Sequence, residues 1–261
     1  MSFQQTVSGS VALWIGNPNC DAAHTFLRDW LRKNAPNYPT AWTKGDIRTQ
    51  GNLGETISFC VGAFAGHKGL KCFAANAYNP FSGISRNEID LLWIGFGNST
   101  LDDFVIHQEV KTTFDKDLSY ADNLLKDYEK AFGKNPRFSL NTHLQAVKAK
   151  LYYEHNRPDL AARINVLQAT TPSNAHRITV IPTLVHDLAG SNPAAKMAGI
   201  AAVLKANGWN KVEAWASLTN EGYSFPTKDI QTALIAAPFP PSVTHTRFAR
   251  PSRRARLIVS G

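Results

Sequence analysis

The sequence predicts a mixed α/β fold in which helices flank a central mixed sheet, with elaborations at both termini. Two strand-like runs, residues 88–96 and 104–113, are joined by a Gly-Asn-Ser-Thr turn, which predicts an antiparallel hairpin. Apolar residues at helical spacing occur on both sides of that hairpin. Two further strand-like runs, residues 178–185 and 211–218, are separated by a helical segment, an alternation typical of layered α/β folds.

The elements before the hairpin follow from apolar spacing and from the positions of Pro and Gly. Residues 21–33 and 53–65 have apolar residues at helical spacing, and Glu55 falls in the first turn of the second helix. Residues 36–51 contain Pro, Gly and polar residues, so they are predicted to form a loop. A short strand is predicted for residues 71–75.

The elements after the hairpin are mostly helical. Pro158 separates two of the helices, and Gly208 follows the last one as a stop signal. In the strand 178–185, Pro182 cannot donate a ladder hydrogen bond, so we expect this strand at a sheet edge or at a bulge. The predicted helices are residues 120–132, 139–155, 159–169 and 194–207.

Length and composition indicate one globular domain. The chain has 261 residues, of which 43% are hydrophobic and 18% charged, the composition of a folded protein. We predict a single domain over residues 1–240, with its core at about 53–190, and a basic tail over residues 241–261. No apolar run approaches the ~20 residues that a membrane helix needs, and the first residues lack the features of a secretory signal. The protein is therefore expected to be soluble and cytoplasmic, with no membrane partner.

The charge of the chain predicts a polyanionic partner. The formal net charge is +8, which favours encounter with nucleic acid. Five arginines lie within ten residues of the tail with no acid among them, a pattern typical either of a nucleic-acid-contacting arm or of a solvated tail. The candidate nucleic-acid-binding residues are Arg247, Arg250, Arg253, Arg254 and Arg256.

The cysteines argue against two classes of site. The chain has an odd number of cysteines, Cys20, Cys60 and Cys72, and no two of them form a CxxC pair. This pattern argues against a disulfide framework and against a zinc site. We expect all three to be small buried residues of the core.

The residues that best indicate chemistry lie in the second strand of the predicted hairpin. Glu109 and Lys111 are two residues apart, so their side chains project from the same face of the strand while Val110 points to the other. Glu109-Val110-Lys111 is the one acid-x-Lys match in the sequence, although about one is expected by chance. With an acid and a lysine side by side, the acid can bind a metal ion and the lysine can place its ammonium group at the same phosphate.

Asp90 raises the value of that match because it falls inside the first strand of the hairpin. Apolar residues flank it, and burial of an unpaired acid there would be costly without a partner or a metal ion. The alternative is that Glu109 and Lys111 form an exposed charge pair and that Asp90 is a polar residue at a strand end. His107 shares the face of Glu109, and we interpret it as a hydrogen-bonded sheet histidine rather than as a substrate contact.

Together these residues resemble the PD-(D/E)xK nuclease superfamily. That family has a helix that often carries an acid, a strand with Asp, a strand with (Asp/Glu)-x-Lys, and then a helix and a further strand. The matching positions are Glu55, Asp90, Glu109 and Lys111, and the resemblance covers about residues 55–130. Ile89 stands where the family pattern has proline. The resemblance implies a restriction-endonuclease-like core for this α/β fold.

Within that superfamily the sequence resembles the nuclease subunit of the Hachiman antiphage system. The similarity lies in the Gly54-Glu55 pair, the Gln-Glu-Val-Lys strand and the later Ile-Pro strand. This resemblance implies a role in restriction or antiphage defence. It also implies a helicase or ATPase partner subunit, since the chain itself has no P-loop motif. Self-association into a homo-oligomer stays open.

The superfamily resemblance implies metal-dependent hydrolysis of phosphodiester bonds, with DNA favoured over RNA as the substrate. Asp90 and Glu109 would bind Mg²⁺, with the carbonyl of Val110 as a further ligand, and Mn²⁺ could substitute. Lys111 would orient water or stabilise charge on the phosphate, and Glu55 would support the site or bind a second ion. One alternative is a non-catalytic nucleic-acid-binding or assembly subunit that keeps the fold. The other is an unrelated α/β protein in which the triad is coincidental.

Overall fold

A computed structural model describes residues 2–8, 11–17, 89–113, 117–135, 137–187 and 192–219, together with scattered positions between 51 and 72. These residues form a seven-stranded sheet with helices packed on it, so the predicted mixed α/β architecture is confirmed. The strands are β1 (Ser2–Ser8), β2 (Val11–Asn17), β3 (Lys71–Cys72), β4 (Leu91–Gly95), β5 (Phe104–Thr113), β6 (Ile178–Asp187) and β7 (Ala214–Thr219). The helices are α1 (Asn123–Lys130), α2 (Leu140–Ala149), α3 (Pro158–Arg163) and α4 (Pro193–Ala206).

The sheet is mixed, and its strand order is β1-β2-β7-β6-β5-β4-β3. The neighbours β2, β7, β6 and β5 run parallel, whereas β1 pairs antiparallel with β2, and β4 pairs antiparallel with both β3 and β5. Parallel neighbours need long crossover connections, which α1 to α3 supply between β5 and β6 and α4 supplies between β6 and β7. As an interior strand, β5 has almost all of its side chains buried.

The predicted hairpin is confirmed. β5 has the predicted bounds, and β4 pairs with it antiparallel, beginning at Leu91 opposite Gln108. In the connection, Ser99 and Asp102 form a reciprocal capping box at a short 3-10 turn. The turn therefore satisfies its own backbone donors.

The helices agree with the predicted segments, with short turns added at their ends. The segment 120–132 consists of a 3-10 turn, Ser119–Asp122, followed by α1. Helices α2 and α3 are each extended by a short turn that is not α-helical. Helix α3 begins at Pro158, where the missing N–H costs nothing. Beyond α4, Gly208 has a φ of +94°, the left-handed conformation that ends a helix.

Pro182 lies in an interior strand, so of the two predicted positions, a sheet edge or a bulge, the edge is wrong. β6 is flanked by β5 and β7. Val180 donates its N–H to the carbonyl of Lys211 and accepts from the N–H of Glu213, so alternate residues of β6 face β7 here. Residue 182 is the next position of β6 whose N–H would face β7. Pairing with β7 is interrupted at this residue and resumes at Thr183. Because this one donor is given up, proline fits in the sheet interior.

β1 and β2 have no counterpart among the sequence-based predictions. They pair antiparallel from Ser2 opposite Asn17 to Ser8 opposite Val11, and β2 then pairs parallel with β7. Recognition of β2 depends on its partner β7, which lies about two hundred residues further along the chain.

The N-terminal helix that carries Glu55 agrees with its prediction at the positions that are described. The helical positions within the predicted range are Gly54, Glu55, Ser58, Phe59 and Val61. Gly51 is helical as well, so the prediction that the loop 36–51 extends to this residue is wrong. β3 falls within the predicted strand 71–75, and Cys72 is buried there, as expected. None of the helices in the described ranges is long and apolar enough to cross a bilayer.

Some predictions fall on residues outside the described ranges. They are the helix 21–33, nearly all of the loop 36–51, Cys20, Cys60 and the arginine-rich tail from Arg247 to Arg256.

Candidate active site

The two acids and the lysine lie at the end of the hairpin that is opposite its turn. Glu109 and Lys111 belong to the part of β5 that extends past its pairing with β4. Asp90 immediately precedes β4, which starts at Leu91, so the expectation that Asp90 lies within the strand is wrong. Val110 donates its N–H to Asp90 Oδ2 at 2.7 Å. The N–H of Val110 thus pairs with the Asp90 carboxylate instead of with a backbone carbonyl of the neighbouring strand. This bond holds Asp90 beside β5.

The carboxyl groups of Asp90 and Glu109 lie close enough together for each to shift the pKa of the other. Glu109 is 5% exposed, so it is not part of a solvent-exposed charge pair. Burial raises the pKa of Glu109 to about 8. Burial, followed by the charge of Glu109, raises the pKa of Asp90 well above its usual value. At neutral pH such a pair retains a proton, whose place a cation can take.

Lys111 directs its ammonium group toward α1. Its Nζ lies 2.5 Å from Asp127 Oδ2, and Lys130 binds the other oxygen of Asp127 at 2.8 Å. Burial lowers the pKa of Lys111, but three nearby carboxylates outweigh burial and raise it above its ordinary value. These carboxylates are Asp90, Glu109 and Asp127. The side chain is therefore a charged hydrogen-bond donor, and a role as general base does not fit it.

His107 and Tyr128 hold Glu109 in place. His107 Nε2 lies 2.7 Å from Glu109 Oε1, and burial lowers the pKa of the imidazole to about 3, so the ring is neutral. The Tyr128 hydroxyl donates to the carbonyl of His107 and accepts from the N–H of Glu109, each at 3.2 Å. His107 is fully buried, in agreement with its interpretation as a hydrogen-bonded sheet histidine.

Glu55 approaches the site from the other face of the sheet. Its neighbour Gly54 packs on Thr112, where a Cβ at position 54 would lie 1.7 Å from Thr112 Oγ1, so the close approach requires glycine. Thr112 and Lys111 are adjacent in β5, and their side chains point to opposite faces. Burial is the main cause of the raised pKa of Glu109, and the charge of Glu55 makes a small contribution in the same direction.

Asp127 and Tyr128 are site residues that the sequence patterns did not reveal. Both lie on α1, where Leu124 and Tyr128 are buried. Asp127 is adjacent to Tyr128 and three residues after Leu124, so helical spacing places it at the border of the buried face. That spacing is the signal that could have found it. Gln108 points the other way and hydrogen-bonds to side chains of β4 and β6, as its position in the strand predicts.

The donor atoms at this site suit a hard divalent cation. Asp90 and Glu109 supply carboxylate oxygens, and the carbonyl of Val110 points to the same side as its N–H, toward Asp90. Mg²⁺ is commonly held by one or two carboxylates and keeps several waters. Among the described residues, no group of three or more His, Cys, Asp or Glu side chains is arranged to hold a metal ion. The candidate metal ligands at this site are therefore the carboxylates of Asp90 and Glu109 and the carbonyl of Val110.

The sequence matches no family model and no curated protein. The geometry of this site is thus the basis on which a function can be proposed.

Proposed function

We propose that the protein is a Mg²⁺-dependent nuclease of the PD-(D/E)xK type, with Asp90, Glu109 and Lys111 at its centre. The observation that carries this proposal is the closeness of the buried carboxyl group of Glu109 and the half-buried one of Asp90, beside the ammonium group of Lys111. A buried acid held against a second acid is unfavourable for the fold, so a functional role accounts for this arrangement better than a structural one. Strongly shifted pKa values of this kind concentrate at functional sites.

The order of elements supports a restriction-endonuclease-like core. Helical positions with Glu55 come first, followed by β3, by Asp90 and β4, by β5 with the acid-x-Lys motif, by α1 to α3, and by β6. That order is the one that the family pattern requires. The buried Ile89 occupies the place of the family's proline and leaves the position of Asp90 beside Val110 intact.

In this proposal Asp90, Glu109 and the carbonyl of Val110 hold Mg²⁺. When bound, the ion lowers the pKa of coordinated water and neutralises charge on the scissile phosphate. His107 orients Glu109 by donating its Nε2–H to Oε1 of the ionised carboxylate. Lys111 donates hydrogen bonds to a phosphate oxygen and stabilises the negative charge that develops there.

DNA is the substrate that we favour, and the net charge of +8 is suited to any nucleic acid. The arginine-rich tail would add phosphate contacts, which position a protein without reading sequence. A helicase or ATPase partner subunit and a role in antiphage defence are proposed on the resemblance alone. A non-catalytic nucleic-acid-binding subunit is the function to which a negative cleavage assay would point.

Cleavage of labelled plasmid, single-stranded DNA and RNA, with and without Mg²⁺ or Mn²⁺, tests this proposal. The wild-type protein should cut at least one substrate, and only when the metal ion is present. Asp90→Asn and Glu109→Gln should each lower the rate at least about 1,000-fold, because loss of a metal ligand removes several kcal/mol of transition-state stabilisation. Asp159→Asn, at an exposed ion pair, is the matched control and should cut normally. Inactivity of the wild type on all three substrates, or full activity of Asp90→Asn, would overturn the proposal.

A further inference from the structure

On the basis of the proposed nuclease function, we propose that Asp127 is a positioning residue of the site. Its carboxylate holds the ammonium group of Lys111 on the α1 side, which leaves the oxygens of Asp90 and Glu109 available to a divalent cation. Asp127 touches neither the substrate nor the cation in this role, and it acts through Lys111.

Lys111 lies among three carboxylates, and its direction is set by one of them. Its Nζ is 2.5 Å from Asp127 Oδ2, in an ion pair that joins β5 to α1. Asp90 and Glu109 also attract the ammonium group from the strand side. A lysine has a flexible four-carbon stem and three donors, so this group can reach either side. Asp90 and Glu109 exert the larger electrostatic pull, and Asp127 is the carboxylate with which the ammonium group forms an ion pair. We infer that this pairing opposes that pull and holds the ammonium group on the α1 side.

Without Asp127, the anions nearest to Lys111 would be the two carboxylates of the site. An ammonium group between Asp90 and Glu109 would neutralise them and would compete with a cation for the same oxygen atoms. The affinity of the site for a divalent ion is thus the quantity that Asp127 controls. Loss of an outer group that orients metal-site residues commonly costs about 10–100-fold in metal affinity.

Helix α1 holds Asp127 firmly in this place. The next residue, Tyr128, is buried and hydrogen-bonds to the backbone of β5 through its hydroxyl. The second oxygen of Asp127 accepts from Lys130 at 2.8 Å, and the Lys130 side chain is 44% exposed. Lys130 therefore offers a matched control, because its substitution alters the contacts of the same carboxylate without touching Lys111.

Direct Mn²⁺ binding, measured by titration calorimetry on the full chain without nucleic acid, tests this role. We expect Asp127→Asn to weaken Mn²⁺ binding about 10–100-fold and Lys130→Met to leave it within about 3-fold of the wild type. Adding Lys111→Met to Asp127→Asn should restore the affinity, because no ammonium group is left to compete. A merely structural role of Asp127 would give the same loss with and without Lys111.

Two results would overturn the positioning role while the proposed function stands. One is an unchanged Mn²⁺ affinity in Asp127→Asn. The other is an equal loss in the Lys111→Met background, which would make Asp127 a metal ligand or a support of the fold. Failure of the proposed function looks different. A wild-type protein that binds no Mn²⁺, or an Asp90→Asn variant that binds it as well as the wild type, would remove the metal site and this role together.

Discussion

The two ends of the β4–β5 hairpin both bury acidic side chains, and they surround them differently. At the turn, Asp103 is 2% exposed, and Arg163 binds it with Nε 2.9 Å from Oδ2 and a second guanidinium N–H on Oδ1. The N–H of Gly97 donates to the same carboxylate at 3.1 Å. This acid is matched by a cation in a forked geometry and by a backbone donor, as a structural buried charge requires.

At the opposite end, Glu109 is 5% exposed and has another acid, Asp90, as its neighbour. The nearby cation, Lys111, forms its ion pair with Asp127. Burial of an acid is therefore not by itself a sign of function, because Asp103 is buried just as deeply. The sign is a buried acid whose neighbour is a second acid, since that arrangement is costly to the fold and suits a cation.

The largest effect on stability should come from breaking the matched pair at the turn. Arg163→Met should lower the free energy of unfolding, because the buried Asp103 would lose its charged partner. Arg157→Met is the control, since the pair of Arg157 with Asp159 is exposed and should contribute less than about 1 kcal/mol. Urea denaturation of both variants measures the difference. Small and equal losses would mean that the turn does not depend on this ion pair.

At the end of the hairpin that holds the candidate site, the two neighbouring acids should make the stability of the protein depend on pH. The pKa of Glu109 is about 8 in the folded protein against an ordinary value of 4.5. Between these values the unfolded chain has released the proton while the folded protein retains it, so the free energy of unfolding falls as the pH rises. Without divalent ions, Glu109→Gln should exceed the wild type in stability by about 2–4 kcal/mol near pH 8 and by much less near pH 5.

Chemical denaturation across this pH range, in the presence of a chelator, measures that difference. Near pH 8, Mg²⁺ should reduce the difference in stability between the wild type and Glu109→Gln, because a ligand that binds the folded state alone stabilises it. Curves for the wild type and Glu109→Gln that run parallel at every pH would show that Glu109 is not strained by its surroundings.

Two closely packed glycines, Gly54 against the site end of β5 and Gly97 in the turn, should give the smallest of these effects when they are replaced. A Cβ at position 54 would lie 1.7 Å from Thr112 Oγ1, and one at position 97 would lie 2.2 Å from Asp102 Cβ. Gly54→Ala and Gly97→Ala should each lower the free energy of unfolding by about 1–3 kcal/mol through overpacking. Gly54→Ala alone should also slow cleavage, because it displaces the helix that carries Glu55.

Cleavage rates compared at equal folded fraction separate the two glycine variants. Thr112→Ala should partly restore Gly54→Ala, since it removes the atom that a Cβ at position 54 would meet first. Equal cleavage by Gly54→Ala and Gly97→Ala would mean that the placement of Glu55 does not matter to the reaction.

Local sequence was sufficient to predict the elements next to the site. The alternation of side chains along a strand places Glu109 and Lys111 on one face of β5 whatever the remaining chain does, and β5 has the predicted bounds. The helical spacing after it predicts α1 in the same way. Pro182 shows the limit of such rules, because the ladder bond that proline gives up depends on the neighbouring strand β7, which a rule about one strand does not consider.

The sequence by itself determined the elements around the hairpin and the faces on which their charged residues lie, because these properties depend on neighbours within a few positions. Tertiary structure decided which partner each charge takes. Arg163 reaches Asp103 across 60 positions, and Asp127 draws Lys111 toward α1. Ion pairs form over a few ångströms between residues that are distant in the chain, so their outcome depends on how α1 and α3 pack against the sheet. Local periodicity does not encode that packing. The packing is what distinguishes Asp103, whose partner is a cation, from Glu109, whose neighbour is a second acid.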